Sequence, residues 1–243
     1  GVVGTIFQDR IPSVAAFQLP FLFTDYDQAR AALYEGDYGY QLIGDVASLG
    51  FTVNGIVPDG FRVMTMNKKV ESLADMHGLK MRMPNLEIMV EIGNYLGFAV
   101  TPMSMTEVFS ALEQGVIDGQ ENPPSTIRSQ GWYEIQDYLL VSNHVFTSLF
   151  LCVNNDFYNS LDSELQNILD EVIDETCAQI WDTAQTQAQE DLDYMSSEGG
   201  IEVYEPSDSF RQEMVEATAP MYDNMYETAP EVEEVINAIQ AIQ

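Results

Sequence analysis

The feature that most restricts the fold of this 243-residue chain is a long helical pattern between residues 163 and 196. Leu165, Ile168, Leu169, Val172, Ile173, Cys177, Ile180, Trp181, Ala184, Ala188, Leu192 and Met195 recur at spacings of three and four, the repeat of a single helix face. At ~1.5 Å per residue such a helix reaches roughly 50 Å. A lobe built from half of this chain is narrower than that, so the helix is expected to span two lobes. The acidic residues on its other side read as a solvated face.

Short branched apolar runs bounded by turn residues mark strands at 2–7 (VVGTIF), 51–57 (FTVNGIV), 62–66 (RVMTM), 80–83 (KMRM) and 98–103 (FAVTPM). Helical stretches lie between them at 25–49, 85–96, 105–114 and 123–135. Ser104 and Glu107 form an S-x-x-E capping box ahead of VFSALEQ, and Gly115 closes that helix. After the long helix, GGIEVYEP supplies one more strand, and two terminal helices follow at 207–227 and 230–243. Strands alternating with helices of about ten residues mean an α/β fold with largely parallel sheets.

Charge narrows the partners. The chain carries 39 Asp plus Glu against nine Lys plus Arg, a formal net charge of −30. Nucleic acids and anionic membrane surfaces would be repelled. Such a balance suits a saline medium, where a short Debye length screens self-repulsion. No apolar run approaches the roughly 18 residues of a membrane span, and the opening GVVGTIFQDR has no secretory-signal pattern. Cys152 and Cys177 lie in apolar surroundings, away from any CxxC, and read as two buried thiols. A single disulfide between them would require an oxidising compartment.

Against that acidity the cations are unevenly placed. Arg62, Lys68, Lys69, Lys80 and Arg82 are five of the nine, gathered in residues 62–82. Arg62 begins one expected strand and Arg82 sits inside another. A guanidinium among apolar neighbours is costly to desolvate unless an anion meets it. That anion is either one of the protein's own carboxylates or a bound ligand. Asn85, in MRMPNLEIM, is read as opening the next helix, whose free N–H groups would add donors to an arginine fork. Lys68, Lys69 and Lys80 read as solvated.

Enzyme signatures are lacking: there is no HExxH, G-x-S-x-G, Walker loop or GxGxxG. With only His77 and His144, catalytic triads and metal sites have few candidates, and neither cofactor nor metal is expected. Asp118 and Glu121 in IDGQEN are drawn as paired carboxylates only with difficulty. The simpler reading is a strand-to-helix turn, Asn122 entering the helix that Pro123 opens. NNDFYNSLDSE lacks the glycine and ligand order of a calcium loop.

The run GLKMRMPNLEIMVEIGNYLGFAVTPMSMTEVFSALEQGVIDGQENPPSTI closely resembles the substrate-binding proteins of tripartite ATP-independent periplasmic (TRAP) transporters. LPFLFTDYDQARAAL and DYLLVSNHVFTSLFLCVNNDFY resemble them too, so the likeness covers essentially the whole chain. GLKxRxP, a TPM before a capped helix, and VxDGQENP are specific in combination. The resemblance implies a periplasmic-binding-protein-like fold, with two α/β lobes joined by hinge strands and a long bridging helix. Residues 1–59 with 148–187 would form lobe I, and 60–147 with 188–243 lobe II. It also implies a monomeric periplasmic receptor, not an enzyme, that closes on a small organic acid and delivers it to a TRAP membrane permease. By the same likeness Arg82 clamps the ligand carboxylate, Arg62 is a second arginine, and Asn122 is the pocket asparagine. Asn85, Met105 and His144 fall at pocket-lining positions. A sensor passing ligand occupancy to a signalling partner, and more remotely a carboxylate-dependent enzyme, are the alternatives.

Members of that family begin with further elements before the equivalent of GVVGTIF, roughly sixty to seventy residues that are expected to be absent here. Their absence would leave lobe I incomplete, with unpaired strand edges.

Overall fold

The computed structural model describes residues 1–7 and 10–242. Its strands are β1 (Val2–Val3), β2 (Phe51–Phe61), β3 (Val63–Met66), β4 (Lys80–Met83), β5 (Ala99–Pro102), β6 (Gly119–Asn122), β7 (Tyr138–Leu140), β8 (Phe146–Asn154) and β9 (Glu202–Tyr204). They form two sheets, one in the order β1-β8-β2 and one in the order β5-β4-β6-β3-β7-β9, with helices packed around both. The architecture is bilobed α/β.

Parallel pairing is less extensive than the alternation of elements implied. The three-stranded sheet is antiparallel throughout its described pairs. In the six-stranded sheet, β4 runs parallel to β5 and β6, and β7 parallel to β9, whereas β3 is antiparallel to both its neighbours. The reason is the chain's path: β2 passes straight into β3 through one residue, Arg62, and β7 returns to β8 through residues 141–145. The two strands that cross between the sheets, β2 and β8, run antiparallel, whereas β4 and β5, joined by the helix Glu87–Tyr95, run parallel.

The two crossings lie side by side. Arg62 N–H donates to the Val145 carbonyl at 2.8 Å. Around them lies an aromatic cluster: Phe61 and Phe146 meet edge to face with ring centroids 5.0 Å apart, as do Tyr26 and Phe61 at 5.3 Å, and Phe23 is tilted against Phe146 at 5.4 Å. Trp181 closes the cluster, nearly parallel to Phe146, and its Nε1–H donates to the Ile56 carbonyl at 2.9 Å. β2 is bulged at Asn54 and Asp59, where its register against β8 shifts, and bulges of this kind bend and twist a strand.

Trp181 lies midway along the helix Ser163–Ser197, 35 residues long, with the Asp162 side chain capping it by accepting from Leu165 N–H at 2.9 Å. Its middle packs on β2 through Cys177 and Trp181; its end packs on the other lobe through Leu192 and Met195, and Asp191 takes a 2.7 Å ion pair from Arg128. The first turns depart from the expected stripe: Leu165, Ile168 and Val172 are about half exposed. Both cysteines are free thiols. Cys177 packs over Gly55, while Cys152 pairs with Val53 on β8, across the β2 bulge.

Several helices are shorter than their sequence pattern. The stretch 25–49 divides into Tyr26–Leu33 and Asp37–Ala47 around Gly36, whose Cβ would meet the Ala31 carbonyl. The first strand ends at Val3, and Gly4–Phe7 form a 3₁₀ turn. The C-terminal helices are Asp208–Thr218, Pro220–Thr228 and Glu233–Gln240; residue 243, to which the last was extended, lies outside the described residues.

Candidate functional site

Arg82 is held on β4, in register with Thr101 of β5 and Gln120 of β6, and is 3% exposed. Its Nε and Nη2 donate to the Met103 carbonyl at 3.1 and 2.8 Å. No carboxylate pairs with it among the described residues. Burial pulls its pKa down to about 10, against which Glu121 pushes up and Arg62 down. It is therefore a desolvated cation at neutral pH with one neutral acceptor.

Arg62 is also buried, yet its situation is the reverse. Its Nε and Nη2 grip the Glu121 carboxylate fork to fork, Nη2 at 2.8 Å from Oε1, and Nη2 donates again to the Glu121 carbonyl at 2.9 Å. His144 Nε2 lies 3.3 Å from Oε2 of the same carboxylate, close but poorly aligned, and Ser142 Oγ is 2.8 Å from His144 Nδ1. Burial lowers the Arg62 pKa and Glu121 raises it, with the net direction upward. For Glu121, burial pushes the pKa up, but chiefly the charge and hydrogen bonds of Arg62, with His144 contributing less, hold it down to about 2.

The six expected site residues thus fall into three groups. Arg82 and Asn122 belong to one face of the second sheet. Alternation along β6 puts Gln120 and Asn122 on that face, where Asn122 Nδ2 donates to Gln120 Oε1 at 2.8 Å and Gln120 Nε2 donates to Thr65 Oγ1 at 2.9 Å. Arg62 and His144 meet at Glu121, and the Arg62 fork is spent there. Asn85 and Met105 lie apart and exposed. Asn85 does not cap the helix: Pro84 and Asn85 extend the chain beyond β4, Leu86 takes the N-cap position without a side-chain bond, and the helix is Glu87–Tyr95. Met105 begins the 3₁₀ turn Met105–Glu107, two residues past the carbonyl that receives Arg82. Ahead of that turn the Ser104 N–H donates to Glu107 Oε2 at 3.1 Å.

The remaining cations of the 62–82 cluster are peripheral. Lys69 bridges to Glu202 at 2.5 Å, Lys68 lies 3.8 Å from Asp75, and Lys80 is exposed. Asp118 and Glu121 do not act as a pair, since Asp118 Oδ2 accepts from Lys80 N–H at 2.8 Å while Glu121 faces Arg62. Within IDGQEN, Gly119–Asn122 is a strand rather than a turn, and the following helix starts at Pro124 with Pro123 as its cap. The turn expectation left Gln120, Thr65 and the Met103 carbonyl out of the site, because GQEN carries no apolar alternation to mark a strand. Among the described residues no group of His, Cys, Asp and Glu is arranged to hold a metal ion.

Residues 2–229 match the family model of the bacterial extracellular solute-binding proteins of family 7. The chain belongs to that family. The C4-dicarboxylate-binding periplasmic protein DctP of Rhodobacter capsulatus is 30% identical over 211 residues, covering 87% of this chain and 63% of the relative. Among solved family structures, a TRAP periplasmic solute binding protein from Haemophilus influenzae with bound L-gulonate is 31% identical, with a TM-score of 0.86 over 97% of this chain and 77% of that one. A sugar acid binding protein from Advenella mimigardefordensis in complex with galactonate is 27% identical, with a TM-score of 0.90 over 98% of this chain and 77% of that one. This chain therefore spans between 63% and 77% of the length of these relatives. Family 7 is a family of solute-binding proteins, not of enzymes.

Proposed function

We propose that the protein is a periplasmic receptor for a small organic acid, that Arg82 takes the ligand carboxylate in a fork, and that the loaded receptor delivers it to TRAP membrane permease subunits. The observation that carries this reading is the buried guanidinium of Arg82, which has a carbonyl acceptor but no carboxylate of its own among the described residues. A desolvated cation that gains an anion recovers what burial cost it, and a carboxylate can engage two guanidinium N–H groups at once. Kinship with proteins named for C4-dicarboxylate, gulonate and galactonate binding supports an organic acid as the class.

Asn122 on the same sheet face, with Met105 and Asn85 at its margin, would line the pocket. Arg62 and His144 would act behind it, through Glu121, at the two hinge crossings. Residues 1–59 with 148–187 would move as one lobe and 60–147 with 188–243 as the other, bending at Arg62 and at 141–145. Ligand contacts better made in the closed form are what would drive the motion. Native mass spectrometry of the protein as purified tests the reading: the expected result is a copurifying organic acid that is absent from the Arg82→Ala variant. An organic acid retained equally by both would overturn it.

A further inference from the structure

The C-terminal helices divide between the two lobes. Asp208–Thr218 packs on the second: it lies against the helices Leu73–Met76 and Glu87–Tyr95, and Leu73 N–H donates to Glu213 Oε2 at 2.8 Å. Pro220–Thr228 and Glu233–Gln240 lead instead to the first. Tyr222 Oη–H donates to the Pro20 carbonyl at 2.8 Å, and the turn Pro230–Val232 packs on the helix Pro12–Ala16. Gln28, buried on the helix Tyr26–Leu33, holds the end of the last helix. Its Nε2 donates to the Ile239 and Ile242 carbonyls at 3.0 and 3.3 Å, while its Oε1 accepts from Thr24 N–H at 2.7 Å. A helix end runs out of its own donors, so an amide fixed from the other side is a firm attachment there. Ala229, Val232, Ile236 and Ile239 are buried along the same segment.

Against the second lobe these helices fit loosely. A cavity of about 320 Å³ separates Met221 and Met225 from Ile88 and Glu91, with Ala15 and Leu19 closing it on the first-lobe side. Across that seam Asn224 Nδ2 donates to Tyr95 Oη at 3.2 Å, at the exposed surface. The passage between the lobes is a broken helix. Ala219 keeps helical backbone (φ −51, ψ −38), but Pro220 has no N–H to donate, so the ladder is interrupted where the chain leaves the second lobe.

We infer that residues 220–242 form a strap that travels with the first lobe, latched there by Gln28, jointed to the second lobe at Ala219–Pro220, and sliding over Glu87–Tyr95 as the lobes move. This rests on the two-lobe reading above and carries residues 220–242 from its second lobe to its first. Buried hydrogen bonds tie the strap to one lobe and a cavity lies toward the other, so relative motion breaks least at the cavity seam.

Pulsed electron-spin distance measurements on the whole protein test this. Nitroxides carried on p-acetylphenylalanine, which spares Cys152 and Cys177, replace pairs of three exposed side chains: Asp156 on the first lobe, Glu113 on the second and Glu234 on the strap. The expected result is a 156–234 distance distribution about twofold narrower than those of 113–156 and 113–234. A 156–234 distribution as broad as 113–156 overturns the inference. So does a 113–234 distribution as narrow as 156–234, which would mean a strap fixed to the second lobe or lobes that do not move. No ligand is added, so either result leaves the organic-acid reading to its own test. In Gln28→Leu the 156–234 distribution should broaden about twofold, since the last helix loses its donor. An unchanged distribution in folded Gln28→Leu would overturn the role of Gln28 as latch. Should that variant fail to fold, the three distributions of the parent decide.

Discussion

Arg62 and Glu121 lie fork to fork where β2 leaves the first sheet, both buried, and His144 closes on the same carboxylate. Glu121 is held down to about 2 in the folded protein and returns to the ordinary carboxylate range on unfolding. A depressed carboxylate contributes stability that is fully present above its unfolded pKa and is lost as pH falls toward its folded one. The contribution is on the order of 3 kcal/mol at neutral pH. Urea denaturation should find Glu121→Gln less stable than the parent by about 3–5 kcal/mol at pH 7, since Arg62 is left unpaired. By pH 3 that gap should narrow by roughly 2 kcal/mol. A gap that does not change with pH would show that ionisation of Glu121 is not what holds the pair.

Arg82 should behave in the opposite sense. Because its charge is buried against a carbonyl alone, Arg82→Met should leave the stability of the ligand-free protein unchanged or raise it, whereas Arg62→Met should cost about 3–5 kcal/mol. Organic-acid binding should fall by roughly three decades in Arg82→Met. Arg82→Lys should bind poorly as well, since an ammonium keeps the charge but not the fork. Thermal denaturation and calorimetric titration of the same preparations check both halves. Strong destabilisation of ligand-free Arg82→Met would mean that the guanidinium is a structural element rather than a waiting ligand group.

Sequence patterns and folded partners are legible to different degrees, and these two arginines show why. Periodicity reports which face of an element is apolar, so the long helix, read as 163–196, is found at Ser163–Ser197, and KMRM is the strand Lys80–Met83. The likeness to TRAP substrate-binding proteins, and with it the bilobed α/β fold, is likewise legible in GLKMRMP, TPM and VIDGQENP, and the family 7 match agrees with it. What periodicity cannot report is which strand lies beside which. Arg62 finds its anion 59 residues away, through the antiparallel pairing of β3 with β6, and nothing local in DGFRVMTM announces it. Short polar strands fail for a related reason: GQEN has no apolar alternation, and the two prolines after it favour reading a turn. Leu165, Ile168 and Val172 show the converse limit, an apolar stripe whose first turns are half exposed among the described residues.

Gly55 of β2 lies directly under Cys177 of the long helix. A Cβ built on Gly55 would lie 2.5 Å from the Cys177 Sγ, well inside contact distance. Gly55→Ala should therefore destabilise the protein by about 1–3 kcal/mol, as overpacking does in a closed core. Cys177→Ala in the same chain should recover most of that loss, because it removes the atom that clashes. A double-mutant cycle in urea measures the coupling between the two sites. Additive effects would mean that the helix sits farther from β2 than 2.5 Å implies.

The return crossing carries its own backbone constraint. Asn143 has φ +46, between Ser142 and His144, and Phe21, with φ +58, donates its N–H to the His144 carbonyl at 2.9 Å. Arg211 holds the other side of this loop, with Nη1 3.3 Å from the Ser142 carbonyl and its guanidinium 5.6 Å from the Phe21 ring. Left-handed backbone costs an ordinary L-residue roughly 1–2 kcal/mol but is tolerated by glycine and, through its short polar side chain, by asparagine. Thermal denaturation should accordingly rank residue 143 with Gly and Asn most stable, Ala lower by about 1 kcal/mol, and Val lowest because of its branched Cβ. If the proposed hinge bends at this crossing, the same ranking should appear in ligand affinity, because residue 143 directly precedes His144, whose Nε2 lies 3.3 Å from Glu121 Oε2. Equal stability of the Ala and Gly variants would show that residue 143 does not hold the left-handed conformation in solution, and the second crossing would then lose its role in positioning His144.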